Sequence, residues 1–205
     1  MRNRITSRKV FERYVTERDE KRIFAYLNKL RCPWARRDLG WMMLARFTGL
    51  RVGSLVALTV GDARHALATN HLRVDAAHAK GGRGYEVFVT DKARRALQIL
   101  LSVRREIGRT MNESRPLIVG RQGGFVTPRL LQTRMRHWCK AVGLAAGASP
   151  HWWRHTMAKR IMANSTSRDP RAVAAAALGH SDMRSTFQYT LPDREEIEQT
   201  MREAC

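Results

Sequence analysis

The sequence predicts a mainly α-helical fold with a small antiparallel β-sheet, an α+β class. Apolar residues recur at three- and four-residue spacing over most of the chain, which is typical of amphipathic helices. Two short stretches, residues 71–75 and 85–89, instead alternate apolar and polar residues as strands do. No long linker divides the 205 residues, so we expect one compact domain.

The helix boundaries follow from capping residues, prolines and glycines. Thr16 and Asp19 form a capping pair, Pro128 suits the first position of a helix, and Gly49 is a good left-handed terminator. The predicted helices run from Thr16 to the break at Cys32-Pro33, from there to Gly49, from Val52 to Leu58, from about 92 (capped by Asp91) to 107, from Thr127 to Val142, from Pro150 onward, from Asp169-Pro170 to Gly179, and from Pro192-Asp193 to the C-terminus.

The two predicted strands are joined by a glycine-rich turn over residues 80–84. Residues 117–119 are either a further short strand or an extended segment. The chain accordingly divides into a basic N-terminal arm, residues 1–15, a main domain, residues 16–191, and a terminal helix, residues 192–205.

The charge of the chain points to a polyanionic partner. The formal net charge is +20, and 31 of the 38 basic residues are arginine. Arginine binds phosphate with a planar pair of hydrogen bonds, so nucleic acid is the partner that this composition favours. An arginine-biased codon usage is the alternative explanation of the excess.

The cysteines and the hydropathy exclude several classes of protein. Cys32, Cys139 and Cys205 are far apart, which indicates neither a zinc site nor a disulfide framework and fits a reducing compartment. No apolar run approaches the roughly 20 residues of a membrane span, and the N-terminus lacks a signal-peptide core. We therefore expect a cytoplasmic protein without a membrane partner.

Several residues in the chain could form a phosphate-binding pocket. Arg51 follows the helix-terminating Gly49, and Arg154 lies three residues after His151, on the same face of a helix. Each has an ordinary alternative as a solvated surface residue. His151 and His155 have the spacing of a metal pair, but Trp152 stands where zinc proteases carry glutamate, so we expect no metal.

Three further candidates lie in turns and at helix ends. Lys80 opens the glycine-rich turn, His180 follows Leu178-Gly179, and Tyr189 lies nine residues after that histidine. Taken singly, these would be a turn lysine, a histidine at a helix C-terminus and a core aromatic residue.

Together, in order and spacing, these residues resemble the tyrosine recombinase (phage integrase) family. The matching segments are Thr48-Gly49-Leu50-Arg51, Lys80 in its hairpin, Pro150-His151-x-x-Arg154-His155, and Leu178-Gly179-His180 with Tyr189. The resemblance covers residues 16 to 190. It implies the catalytic-domain fold of DNA breaking-rejoining enzymes for residues 16–191. It also implies a protein of bacterial origin, or one encoded by a phage or plasmid, that is associated with the nucleoid.

The resemblance implies a role for each of the six residues. Tyr189 would attack a DNA phosphodiester and form a 3′-phosphotyrosyl link without ATP, a metal or another cofactor. The other roles are clamping of the phosphate oxygens by Arg51 and Arg154, proton transfer at the tyrosine by His151, protonation of the leaving 5′-oxygen by Lys80, and donation to a phosphate oxygen by His180. The physical chemistry agrees, because attack by a phenol of pKa about 10 needs nearby positive charge, and Asp62, Asp75, Asp91, Asp169 and Asp182 do not form a two-metal pattern.

Three features depart from the family pattern. Val52-Gly53-Ser54-Leu55 replaces the usual x-Ser-Glu-Leu after the first arginine, and Trp153 stands where leucine is common. The chain also has no room for the helical DNA-binding domain that precedes the catalytic one in most relatives. It therefore resembles short single-domain recombinases that invert promoter segments, or a catalytic half.

The expected partners are double-stranded DNA and other copies of this chain, as a tetramer on DNA, with the terminal helix packing on a neighbouring protomer. Two alternatives stay open: a DNA-binding regulator with little catalysis, and a relative of type IB topoisomerases. The outcome of recombination (integration, excision or inversion) and the DNA site are not encoded in a visible motif. Additional DNA contacts are expected from basic residues in the arm and the turn: Arg2, Arg4, Arg8, Lys9, Arg13 and Arg83.

Overall fold

The computed structural model describes residues 13–79, 81–144, 148–179 and 194–204. It confirms the predicted mainly helical fold with one small sheet. The elements are α1 Glu17–Lys29, α2 Pro33–Thr48, α3 Val52–Ala57, α4 Val60–Thr69, β1 His71–Val74, a 3₁₀ turn Ala76–His78, β2 Tyr85–Phe88, α5 Asp91–Glu106, α6 Pro128–Ala141, α7 His151–Asn164, α8 Pro170–Leu178 and α9 Arg194–Glu203.

Helix α2 is the centre of the fold. It packs against α1, α5 and α7, and Trp41, Met42 and Leu44 in its middle are completely buried. Most residues of α2 are buried, including the charged Arg37, Asp38 and Arg46, so other elements surround the helix. Gly40 allows the close approach of α5, because a Cβ there would lie 2.9 Å from Leu100 Cγ.

The sheet consists of the two predicted strands, each one residue shorter than expected. The strands are antiparallel, and Leu72 pairs with Val87, both buried toward the helices. Residues 117–119 form no regular strand: Val119 makes an isolated bridge to Phe125, and the neighbouring Pro116 makes one to Thr59.

Helix α4 was not predicted from the sequence. Its start is a capping box, in which Thr59 and Asp62 bond to each other's backbone N–H groups. The buried positions are mostly small (Ala63 and Ala66), so the apolar periodicity is weak. The predicted cap of α5 was wrong by one residue, because Thr90, and not Asp91, accepts the capping hydrogen bond.

A buried carboxylate joins α2 to α6. Asp38 is fully buried, and its Oδ1 accepts from Arg37 and Trp41. Its Oδ2 accepts from Arg134 Nε at 2.6 Å and Trp138 Nε1 at 2.8 Å. These bonds hold two helices whose interacting residues are about a hundred positions apart in the chain.

Two aromatic residues connect α1 to α7. Trp153, the residue that departs from the family's leucine, is completely buried and stacks on Phe24 with ring centroids 5.3 Å apart.

Within the described part of the chain, no helix is both long enough and apolar enough to cross a membrane.

Candidate active site

Arg154 connects the C-terminal ends of two helices. It lies in the second turn of α7 and is 1% exposed. Its Nη1 donates to the carbonyl of Gly49 at 2.6 Å, and its Nη2 donates to the carbonyl of Leu178 at 2.7 Å. The guanidinium plane is therefore set by α2 and α8 together.

Arg51 approaches the same place from the start of α3. It is the residue before the first turn of α3, and its side chain is half-buried. Its Nη1 lies 3.4 Å from the carbonyl of Gly179, to which it donates. Arg51 and Arg154 thus bond to consecutive carbonyls, those of Gly179 and Leu178, and the structure brings the two predicted phosphate ligands together.

Two glycines make this convergence possible. Gly49 and Gly179 end α2 and α8 with φ of 66° and 60°, in the left-handed region that other residues rarely adopt. A Cβ on Gly49 would lie 2.3 Å from Leu178 Cδ2, and one on Gly179 would lie 2.7 Å from the ring of Tyr85. Both positions require glycine for conformation and for space.

His151 and His155 occupy successive turns of α7. His151 is exposed and His155 is buried, with their rings edge to face at a centroid distance of 4.5 Å. Burial, followed by the charges of His151 and Arg154, lowers the pKa of His155 to about 3. His155 is therefore neutral at physiological pH and packs against the histidine that is predicted to transfer protons. No group of metal-binding side chains occurs among the described residues.

The segment before Lys80 is attached to α3. Ser54 is buried, and its Oγ donates to the carbonyl of His78 at 2.7 Å. This contact has no signal in the sequence beyond the departure from the family pattern at position 54. Three of the six predicted catalytic residues, Lys80, His180 and Tyr189, lie outside the described residues.

The end of the predicted arm lies along α7. Val15 is buried, and its N–H donates to Thr156 Oγ1 at 2.8 Å, while Lys159 Nζ lies 4.4 Å from the centre of the Tyr14 ring. Arg13 is exposed, as is Arg83 in the turn between the strands. The other predicted DNA contacts of the arm, Arg2, Arg4, Arg8 and Lys9, lie outside the described residues.

Comparison with known proteins identifies the family. The profile of the phage integrase family matches residues 13–196. A tyrosine recombinase XerC from Azotobacter vinelandii is 36% identical over 160 residues, which cover 76% of this chain and 48% of that protein. The XerC of Neisseria gonorrhoeae is 32% identical over 172 residues, covering 84% and 52%. The chain spans about half the length of the curated relatives it matches.

Solved structures share the fold. XerA recombinase superposes with a TM-score of 0.74 at 21% identity, covering 93% of this chain and 63% of that one. XerH bound to its difH substrate, in a pre-cleavage complex, gives 0.69 at 17% identity, covering 93% and 54%. The Tn1549 transposon integrase in complex with transposon right-end DNA gives 0.70 at 16% identity, covering 93% and 65%. The chain belongs to the phage integrase family, and its fold is that of a tyrosine recombinase catalytic domain.

Proposed function

We propose that this chain is the catalytic part of a site-specific recombinase that cleaves and rejoins duplex DNA through a 3′-phosphotyrosyl intermediate. The observation that carries the proposal is the convergence of Arg51 and Arg154 on the carbonyls of residues 178 and 179, directly before His180 in the chain. XerH and the Tn1549 integrase, which share the fold, were solved with DNA.

The reaction follows from the chemistry of these groups. The phenolic oxygen of Tyr189 attacks the phosphorus, the bond to the 5′-oxygen breaks, and the leaving oxygen takes a proton from Lys80. The transition state gathers negative charge on the non-bridging oxygens, which Arg51 and Arg154 stabilise, with a further hydrogen bond from His180. The carbonyls of Gly49 and Leu178 orient Arg154 before DNA binds, so little reorganisation is needed during the reaction.

His151 is the group that takes the phenolic proton. It lies at the start of α7 and is exposed, so substrate can reach it. The neutral ring of His155 supports it from the next turn. No step of this scheme needs ATP or a divalent metal, so we expect cleavage in the presence of EDTA.

A suicide DNA substrate tests the nucleophile. A nick near the cleavage site lets the released fragment diffuse away, which traps the protein–DNA adduct. Tyr189→Phe removes the attacking oxygen and is expected to abolish the adduct while retaining DNA binding in a gel-shift assay. Tyr26→Phe, at a partly exposed tyrosine of α1, is the matched control and should form the adduct normally. An adduct formed by Tyr189→Phe would contradict the assignment.

The adduct assay and a plasmid-relaxation assay together separate the two alternatives. A DNA-binding regulator would bind DNA and form no adduct in the unmodified chain; the glycine and serine at positions 53 and 54 motivate this possibility. A topoisomerase relative would relax supercoiled plasmid of arbitrary sequence as a monomer. A recombinase forms the adduct at a specific site and exchanges strands between two sites.

Assembly on DNA involves the terminal helix. In α9, Ile197 and Met201 are 45% and 64% exposed, one helical turn apart, on a helix that is rich in glutamate. We infer that this helix, within the terminal segment 192–205, packs on a neighbouring protomer of a tetramer. Met201→Asp should then reduce higher-order complexes on DNA in native gels, whereas Arg202→Ala, exposed on the same helix, should not.

DNA binding is expected to depend steeply on salt. Each phosphate that is neutralised contributes about −0.9 to the slope of log K against log salt concentration. The arm, residues 1–15, adds to this slope, so removal of residues 1–12 should make it shallower and leave the packed residues Val15 and Thr156 in place.

We infer that the site of action of this DNA-binding protein is the cytoplasm, on nucleoid or mobile-element DNA.

A further inference from the structure

Ser54 occupies the position at which the family pattern has a glutamate, and its side chain makes a hydrogen bond that a glutamate could not make. It lies on α3, three residues after Arg51, and is 2% exposed. Its hydroxyl donates to the carbonyl of His78 at 2.7 Å. An ionised glutamate has only acceptor oxygens and could not make this bond.

The hydrogen bond ties α3 to the segment that connects the two strands. Within residues 75–84, the N–H of His78 donates to Asp75, that of Ala79 to Ala76, and that of Gly82 to Ala79. Among the described residues, the bond from Ser54 is the one hydrogen bond that ties this segment to a helix. The anchored carbonyl lies two residues before Lys80 in the chain.

The same α3 turn starts at the phosphate-binding residue. The N–H of Leu55 donates to the carbonyl of Arg51 at 2.9 Å, so Arg51 and Ser54 lie on one rigid turn. A fixed distance between Arg51 and the backbone before Lys80 is what the reaction requires, because one residue clamps the phosphate while the other protonates the oxygen that leaves it.

We propose that Ser54 is a positioning residue for Lys80, coupling the general acid to the arginine clamp through the Ser54–His78 hydrogen bond. This inference rests on the proposed function. It also explains how the chain does without the family's acidic residue. A cavity of about 160 Å³ beside Ser54 is lined by charged residues of both signs, Asp62, Asp75 and Arg73. A glutamate at position 54 would lose the donor and place acceptor oxygens against the carbonyl of His78.

The test compares two leaving groups. Suicide substrates are made with the normal 5′-oxygen and with a 5′-bridging sulfur at the cleaved bond, and cleavage is measured in single turnover. A thiolate leaves without protonation, so the sulfur substrate does not need the general acid. General acid catalysis contributes roughly 10²–10⁴-fold. We expect Ser54→Ala to slow cleavage of the oxygen substrate by about 10- to 100-fold, a part of that contribution, and to cleave the sulfur substrate at the rate of the unmodified protein.

Further variants isolate the hydroxyl. Ser54→Thr keeps the donor and should restore most of the rate on the oxygen substrate, whereas Ser54→Glu should be as slow as Ser54→Ala. Ser102→Ala removes another partly buried serine hydroxyl, which lies on α5 and accepts from Arg36 of α2, and should change neither rate. If Ser54→Ala does not fold, Ser54→Cys keeps the volume with a weak donor and should show the same leaving-group dependence.

The outcomes are distinct. Equal slowing on both substrates would mean a purely structural role and overturn the inference, as would unchanged rates in Ser54→Ala. Failure of the unmodified protein to cleave either substrate would overturn the proposed function itself.

Discussion

The two ends of α2 hold buried arginines in different ways. Near its start, the carboxylate of Asp38 accepts from Arg37 and Arg134, so two guanidinium charges are paired with one carboxylate charge. The other end of α2 lies eleven residues after Asp38, a rise of about 16 Å along the helix. There, Arg154 donates to the carbonyls of Gly49 and Leu178. The first arrangement joins α2 to α6, and the second holds a guanidinium where α2, α7 and α8 meet.

A backbone carbonyl and a carboxylate act differently on a buried arginine. A carbonyl carries a partial charge, so it orients an arginine without supplying the full counter-charge that a carboxylate would. Carbonyl contacts also serve purely structural arginines: Arg104 is buried and donates to the carbonyls of Pro116 and Thr110. What distinguishes Arg154 is that Arg51 converges on the neighbouring carbonyl.

The largest effect is expected at the Asp38 end. Asp38→Asn keeps the shape but removes the charge that Arg37 and Arg134 share, leaving two buried or partly buried cations uncompensated. We expect a loss of about 3–5 kcal/mol in the free energy of unfolding, measured by urea denaturation. The control is Glu113→Gln, which breaks an exposed ion pair with Arg64 and should cost less than about 1 kcal/mol. Similar costs for both variants would show that the Asp38 end is not a structural ion cluster.

The next effect is expected at the other end of α2. Gly49→Ala forces alanine into φ of 66° and places its Cβ against Leu178, whose carbonyl binds Arg154. Left-handed backbone costs about 1–2 kcal/mol, and the collision should raise the total to about 2–3 kcal/mol and slow DNA cleavage.

Gly108→Ala is the matched control for this variant. Gly108 has φ of 68°, with nothing near its Cβ position, so it should show the backbone cost alone. Equal losses of stability in the two variants, with normal cleavage by Gly49→Ala, would contradict the role given to the Gly49–Leu178 contact.

A pH-dependent effect is expected from α7. The folded state lowers the pKa of His155 to about 3, mainly by burial, while in the unfolded chain it is near 6.5. As the pH falls below 6.5 the unfolded chain binds a proton that the folded chain does not, so stability is complete above 6.5 and is lost toward pH 3. The loss at pH 5 should be on the order of 1–2 kcal/mol.

Urea midpoints between pH 8 and pH 5 measure this loss. His155→Gln cannot take up the proton, so its stability should decline less over the same range, while carboxylates contribute equally to both proteins. Parallel pH profiles for the two proteins would show that His155 is charged in the folded state.

The smallest effect is expected at Gly53, close to the site but outside its contacts. Nothing lies within 4 Å of a Cβ built there, and the residue is in a helix. Gly53→Ala should therefore stabilise the protein by about 0.5–1 kcal/mol without changing cleavage. Gly61→Ala, whose Cβ would lie 3.2 Å from Glu113 Cβ, should give no such gain. Loss of cleavage in Gly53→Ala would indicate that the start of α3 has to move during the reaction.

Local patterns in the chain were enough to predict most elements. Capping residues, terminal glycines and apolar periodicity placed α1, α2, α6 and α8 and both strands, because each signal acts within a few residues. Helix α4 was missed because its buried face is largely alanine. The order and spacing of the motifs were also sufficient to indicate the family, which the comparisons confirm.

The partners of the buried charges could not be read in the same way. The bond from Arg154 to Gly49 spans 105 residues, that from Arg51 to Gly179 spans 128, and that from Trp138 to Asp38 spans 100. Whether a buried guanidinium donates to a carboxylate or to a carbonyl depends on which distant segments pack together. The periodicity of the sequence does not indicate this. The sequence alone thus determines the residue types of the site. The convergence of Arg51 with Arg154 and the hydrogen bond from Ser54 to His78 depend on the tertiary structure, because hydrogen bonds form only between groups that folding brings within about 3 Å of each other.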